Sequence, residues 1–342
     1  MTAQRPDLTI VVCSYNRALQ LTAALDTLNQ QTIRERLEVV VVDDGSTPPI
    51  EEHEVTSRGA RLIRHPANLG PAAARNTGLS ASGAPIVAFT DDDCRPSPEW
   101  ADALLTAYLD PRVAAAGGPV VGASRAGLLA RYYLHNPPVT HLEGELGSST
   151  SVAYRLWLYA RRNVSPPTYE GERDVYSLAS ANISFRRDVL EALGGFDASI
   201  GFAGEDEDIC LRLRRAFPDH VLRLVPAAAV EHEYELHLRD ALRRASIYGN
   251  GNARNLRRHD GWGPATVYPI PVLFLIALLA SVANRRWLPV AVSLPLLLAP
   301  RWILNAFRSR SPESLAYAYI QLLQETFNNV GFVAGYLSRE PL

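Results

Sequence analysis

Short runs in which almost every position is apolar alternate along the first half of this chain with stretches whose apolar residues recur every three or four positions. Leu8-Thr9-Ile10-Val11-Val12 is the first such run, and it closes on the polar turn Ser14-Tyr15-Asn16-Arg17. Leu21, Ala24, Leu25 and Leu28 then share one face of a predicted helix. A second buried strand is predicted at Leu37 to Val42, LEVVVV, ending abruptly in Asp43-Asp44-Gly45-Ser46. Arg61 to Arg64 reads as a short third strand, the alanine-rich Pro71 to Leu79 as a helix, and Pro85 to Thr90 as the next strand. Strands separated by helical connections at these intervals predict an α/β domain with a parallel, doubly wound sheet. Ligands of such sheets sit beyond the carboxyl ends of the strands, where Ser14, Asp44 and Asp91 all fall.

The middle of the chain, from Gly117 to Tyr176, follows neither period. It holds Pro137-Pro138, Pro166-Pro167 and the aromatic stretch YRLWLYA, and reads as an insertion, an acceptor-side loop or an irregular packed segment. A strand returns at Ser180 to Phe185, followed by a helix through Leu193 and the turn Gly194-Gly195-Phe196-Asp197. In GFAGEDEDICLRLRRAF, Gly201 to Phe217, glycines give way to four acids and then to a helix with Ile209, Leu213 and Phe217 on one face. Val221 to Val225 is expected as an edge strand, and His232 follows in AVEH. A charged helix is predicted from Arg239 to about Arg258, and a last one from Pro312 to about Val330.

Between those two helices the polarity changes. Ala265 to Ala283 is a run of 19 uncharged residues, and WLPVAVSLPLLLAP adds 14 more after Asn284-Arg285-Arg286. The first is close to the roughly 20 residues that cross a bilayer, so a membrane hairpin or re-entrant pair is expected over about 265–304. Arginines cluster before and after the pair, with only Arg285 and Arg286 between, which favours both flanks on the cytoplasmic side. The amino terminus lacks the pattern of a secretory signal, so a cytoplasmic catalytic part is expected. The expected organisation is a catalytic domain over 1–235 and a helical, membrane-associated region over 236–342.

Composition excludes more than it assigns. A net charge of −2 gives no electrostatic case for nucleic-acid binding. Three dispersed cysteines fit a reducing compartment and form no zinc or disulfide pattern. Neither G-x-G-x-x-G nor G-x-x-x-x-G-K-[ST] occurs, which argues against a nicotinamide dehydrogenase and a P-loop NTPase.

The chemistry-bearing feature is Asp91-Asp92-Asp93, three acids directly after a buried strand. Like charges in such a place repel one another and are costly to bury unpaired. A divalent cation, Mg2+ or Mn2+, answers both problems and lets a diphosphate approach. That implies a phosphate-containing donor and leaves sugar transfer, nucleotidyl transfer and phosphate hydrolysis open.

Six segments, VVCSYNRA (11–18), EVVVVDDGS (38–46), NLGPAAARNTGL (68–79), AFTDDDCRPSPEW (88–100), ANISFRRDVLEALGGFD (181–197) and GEDEDICLRL (204–213), resemble in order the motifs of family 2 glycosyltransferases. The resemblance implies a GT-A fold, a Rossmann-like, mostly parallel sheet with helices on both faces. It implies an inverting transfer of a hexosyl or deoxyhexosyl group from a nucleotide-diphosphate sugar, assisted by a divalent metal. Asp91 and Asp93 resemble the D-x-D metal ligands, and His232 a histidine that reaches the metal or diphosphate. Ser14, Asn16, Asp43, Asp44, Arg75, Asp91 and Asn182 would then contact the donor, with the nucleotide read by either Asp43 or Asp44. Glu205-Asp206 resembles the ED motif, with Asp206 as general base and Glu205 beside it. Relatives with carboxyl-terminal membrane segments imply a lipid-linked or cell-envelope polysaccharide acceptor. A nucleotidyltransferase and an inactive membrane-associated scaffold of the same fold are the alternatives.

Overall fold

The computed structural model describes residues 5–123, 126–138, 151–165, 170–201, 203–234, 237–259 and 267–338. Strand β1 (Leu8–Ser14) leads to helix α1 (Ala18–Leu28), β2 (Leu37–Asp43), α2 (Glu52–Thr56), β3 (Arg61–Arg64), α3 (Pro71–Ala81) and β4 (Ile86–Asp91). Then come β5 (Cys94–Pro96), α4 (Trp100–Ala107), β6 (Val113–Gly117), β7 (Val120–Gly122), α5 (Leu128–His135), α6 (Val152–Val164), β8 (Arg173–Asp174) and β9 (Asn182–Arg186). The remainder is α7 (Arg187–Ala192), α8 (Glu205–Ala216), β10 (Val221–Leu224), β11 (Val230–His232), α9 (Leu238–Arg258), α10 (Pro269–Ala283), α11 (Leu288–Leu298), α12 (Arg301–Ser309) and α13 (Ser314–Leu337).

Eight strands form the main sheet in the order β3-β2-β1-β4-β9-β6-β10-β8. β1 lies parallel to both β2 and β4, and these three carry the most continuous apolar runs because both their faces are covered. Helix α3 packs on β1 through Gly78: a Cβ there would come within 2.2 Å of Val11 Cγ1. β9 runs antiparallel to its neighbours β4 and β6. β10 is not the sheet edge that its short alternating run suggests. The two-residue β8, from the part of the chain that fits no period, pairs antiparallel with it and takes that place.

A second, three-stranded sheet, β5-β11-β7, was not legible in the sequence, since each strand has three residues. It matters for the site: antiparallel pairing puts His232 directly opposite Cys94, next in sequence to Asp93.

The chain divides into two compact units, one over 1–123, 137–147 and 169–234, the other over 124–136, 148–168 and 235–342. Helices α5 and α6 thus belong with the carboxyl-terminal helices, although they lie within the first 235 residues. Within that second unit α9 and α13 cross at backbone contact distance. A Cβ on Gly249 would sit 1.9 Å from the Asn328 carbonyl oxygen, and one on Gly331 1.9 Å from that of Ser246. Gln321 of α13 ties the unit together inside. Its amide donates to Asn163 and Glu325, and its carbonyl oxygen accepts from Arg301 and the Trp302 indole.

Helices α10 and α11 expose apolar side chains, among them Leu275, Ile276, Leu279, Val282, Val292 and Leu297. At 1.5 Å per residue α10 is about 22 Å long and α11 about 16 Å, against a hydrocarbon core of about 30 Å. No single helix among the described residues is long and apolar enough to cross a membrane; only the pair Arg285–Leu298 and Arg301–Ser309, bent by 72°, meets the length and composition together. The start of the first uncharged run, 265–266, and Pro166-Pro167 lie outside the described residues.

Candidate active site and metal centre

Three loops at the carboxyl ends of β1, β2 and β4, and the first turn of α8, build the site. The β4 end sorts its three acids into three environments. Asp91 is the outermost, with its side chain about one-third exposed (32%). Asp92 turns back into the protein, where the Ser14 hydroxyl donates to its Oδ2 at 2.7 Å. Burial and the charge of Asp93 push the Asp92 carboxyl up to about 7. Asp93 is buried, and Arg17 Nη1 donates to its Oδ2 at 2.5 Å. Its other oxygen, Oδ1, is buried, accepts no hydrogen bond and lies 3.4 Å from His232 Nε2.

An orphaned carboxylate oxygen facing an imidazole is what a cation site looks like from the protein's side. Asp91, Asp93, Cys94 and His232 each bring a donor atom to one point, all four within 4.8 Å of one another. Burial and the charges of Asp91 and Asp93 push the Cys94 thiol well above its usual range, and its soft sulfur is the poorest match of the four to a hard, oxygen-preferring cation. Two carboxylates and one imidazole remain, a donor set that fits a divalent cation such as Mn2+ or Mg2+. The imidazole of this group is braced by Tyr234, stacked on His232 at 4.3 Å between ring centroids.

The first turn of α8 sorts three of its four acids in the same way. Asp208 pairs with Arg212 at 2.7 Å, and the same guanidinium donates to the carbonyls of Leu193 and Gly195, fixing the Gly-Gly-Phe-Asp turn. Glu205 is buried against Arg75, with Nη1 to Oε1 at 2.6 Å and its second oxygen unpartnered. Asp206 accepts from the amide of Ser180 at 3.1 Å and from that of Glu207 at 2.9 Å. Its carboxyl is pushed up to about 6 by burial and by the charge of Glu205, against the opposing pull of the Ser180 amide and Arg75.

Arg75 joins the two acid groups. Its Nη2 reaches Asp91 Oδ1 at 3.3 Å while Nη1 holds Glu205, and the guanidinium sits 5.7 Å from the centroid of Phe196. Burial works against its charge, but Glu205 and Asp91 hold the guanidinium well above its ordinary range. Sequence reasoning expected this arginine to face the donor. The structure instead commits it, 4% exposed, to the two carboxylates.

The other expected donor contacts are also largely spoken for. Asp43 is fully buried and accepts from the amides of Ser46 and Ile50 and from Arg64 Nε; burial opposes its ionised form, but these bonds hold its carboxyl below the usual range. Asp44 accepts from the amides of Leu69 and Gly70 and from His65, whose other nitrogen meets Thr77. Asn16, at φ 58°, donates its backbone N–H to the Ser46 hydroxyl and accepts on its side-chain oxygen from the Thr47 backbone N–H. Asn182 is committed to the interior. It is fully buried, accepting from the Trp100 indole at 2.8 Å and donating to the Ala228 carbonyl at 2.7 Å, so it links α4 to the approach of β11. Arg17 was missed by sequence reasoning; the available signal was a cation in the turn after β1, one strand over from the acids.

A family model described as glycosyl transferase family 2 matches residues 9–194, and one described as glycosyl transferase family group 2 matches residues 157–304. The pre-mycofactocin glycosyltransferase of Mycobacterium tuberculosis is 33% identical over 255 residues, 74% of this chain and 48% of that protein. The O-antigen biosynthesis protein RfbC of Myxococcus xanthus is 28% identical over 253 residues, 71% of this chain and 18% of that protein. The chain thus spans half or less of the length of these relatives. Among solved structures, the mannosyltransferase PcManGT of Pyrobaculum calidifontis, in complex with GDP-Man and Mn2+, superposes with a TM-score of 0.54 at 22% identity, over 99% of this chain and 89% of that one. That likeness carries the GT-A fold. With the family model spanning more than half the chain, and covering the ends of β1, β2 and β4, this protein belongs to glycosyl transferase family 2.

Proposed function

We propose that this glycosyltransferase moves a sugar from a nucleotide-diphosphate donor to a hydroxyl of a lipid-linked or cell-envelope glycan, by a single inverting displacement at the cytoplasmic face of a membrane. The observation that carries the reading is the shared guanidinium: Arg75 touches Asp91 of the cation group and Glu205 of the acid pair on α8. Two functions that inverting transfer needs, one for the leaving group and one for the incoming hydroxyl, therefore border one cleft.

Asp91, Asp93 and His232 would hold a divalent cation, which neutralises the donor diphosphate and stabilises charge on the departing nucleotide. Asp206 is the general base. Displacement from the face opposite the leaving group requires one carboxylate to take the acceptor's proton within hydrogen-bond reach. Its proton affinity, raised to about 6, suits that task near neutral pH better than an ordinary aspartate's. The backbone amides of Ser180 and Glu207 fix its direction. Glu205 is clamped by Arg75, and its charge adds to burial in raising Asp206's proton affinity.

The acceptor class rests on the second unit. Exposed Leu279, Val282 and Leu297 on α10 and α11, with Arg285 and Arg286 between these helices, suit an embedded or interfacial anchor. The test is a donor panel of UDP-, GDP- and dTDP-sugars with Mn2+ or Mg2+, offered with a membrane lipid extract or with pre-mycofactocin, the acceptor in the mycobacterial relative's name. Nucleoside diphosphate release with label in the lipid fraction and an inverted anomeric configuration is expected. Retained configuration overturns the single displacement. Transfer to pre-mycofactocin but not to lipid overturns the acceptor class, and failure to float with lipid vesicles overturns the anchor.

A further inference from the structure

We infer that Arg17 is a positioning residue for the cation site: it pins one oxygen of Asp93 so that the other is presented to the cation. This rests on reading Asp91, Asp93 and His232 as cation ligands, and it adds a residue that the motif itself does not contain. The turn after β1 sends two side chains across to the end of β4. Ser14 holds Asp92 Oδ2 at 2.7 Å, while Arg17 Nη1 lies 3.4 Å from Asp92 Oδ1 and 2.5 Å from Asp93 Oδ2. The register makes this possible: β1 and β4 are adjacent and parallel, with Cys13 beside Asp91, so the two turns leave the sheet side by side.

The two oxygens of Asp93 consequently differ. Oδ2 is bound to the guanidinium, and Oδ1 is buried, accepts no hydrogen bond and faces His232 Nε2 at 3.4 Å. A carboxylate turns readily about its last bond, and a guanidinium on one oxygen removes that freedom. Partners one step removed from the ligands act this way in metal sites generally, fixing the orientation in which a ligand meets the ion. Electrostatics alone argues for the opposite effect, since a guanidinium repels a cation. The Arg17 side chain is 47% exposed, however, so its charge is screened by water while its hydrogen bond to a buried carboxylate is not. Orientation outweighs repulsion.

The sign of one measurement decides between the two effects. Mn2+ is titrated into full-length wild type, R17A, R17K and D93N without donor, following free Mn2+ by electron paramagnetic resonance. R17A is expected to weaken Mn2+ binding about 10–100-fold, with R17K intermediate and melting temperatures within a few degrees of wild type. D93N should lose the site altogether. Unchanged or tighter binding by R17A, with D93N still defective, overturns the role of Arg17 and leaves the cation site standing. Wild-type affinity in D93N, or no binding by wild type, overturns the cation reading and this inference with it. Should R17A fold poorly, R17Q, which is neutral and too short to grip Asp93 in the same way, gives the same reading.

Discussion

Replacing Asp206 by asparagine is the sharpest perturbation of the catalytic scheme, because it changes protonation chemistry while keeping shape. The carboxylate accepts two backbone hydrogen bonds, from Ser180 to Oδ2 and from Glu207 to Oδ1. Asparagine keeps one acceptor oxygen, so one of these bonds is lost, at about 1 kcal/mol. Against this, the amide removes a charge that burial and Glu205 disfavour. The net change in stability is expected to stay within about 1 kcal/mol. Activity should respond very differently: loss of a general base costs about 10²–10⁴-fold, or about 2.7–5.4 kcal/mol in the barrier. The wild-type pH profile gives a second reading. The proposed base works ionised, so activity is expected above its pKa and should be lost as the pH falls through about 6. A group of that pKa is about nine-tenths ionised at pH 7 and about one-tenth at pH 5. Glu205→Gln removes the neighbouring negative charge and leaves Arg75 less neutralised, and both changes move the acid limb to lower pH. The assay is initial-rate release of nucleoside diphosphate across pH 5–8, at saturating metal and donor. An Asp206→Asn enzyme within tenfold of wild type, or a Glu205→Gln enzyme without activity at any pH, would refute the assignment.

Chelation by EDTA should abolish transfer, and added Mn2+ should restore it in wild type but not in Asp93→Asn, measured by the same release assay. Gly78→Ala drives a methyl group to within 2.2 Å of Val11 Cγ1 and should cost about 1–3 kcal/mol by urea denaturation, part of it recovered in the Gly78→Ala, Val11→Ala double variant. Gln321→Leu strips partners from Asn163, Glu325, Arg301 and Trp302 at once, and should destabilise the helical unit by about 3 kcal/mol or more, read as a loss of cooperativity or a lower midpoint in calorimetry.

The parts of this fold that could be read from sequence are those whose physics is local. LTIVV and LEVVVV announce buried parallel strands because both faces of β1 and β2 are covered, so every position is apolar. β5, β7 and β11 defeat the same reading, since three residues carry no period and their pairing is decided by where distant turns meet. Helices α5 and α6 were hidden for a related reason. Their partners are α12 and α13, some 160 residues on, and the contacts run through polar groups such as Asn136, just past α5, and Tyr159 and Asn163 of α6 in place of apolar ones. The site divides along the same line. The acids themselves were evident, but which acid does what depends on cations supplied from elsewhere in the chain: Arg17 for Asp93, Arg75 for Asp91 and Glu205, Arg212 for Asp208. Three acids in a row looked like a single charge cluster in one dimension. In three they are one carboxyl bound to Ser14, one buried oxygen left open opposite His232, and one outward carboxylate on the arginine that also holds Glu205 of α8. On the proposed reading a long-range arginine network distributes the roles among these acids, and substitutions among those arginines should redistribute function between neighbouring acids.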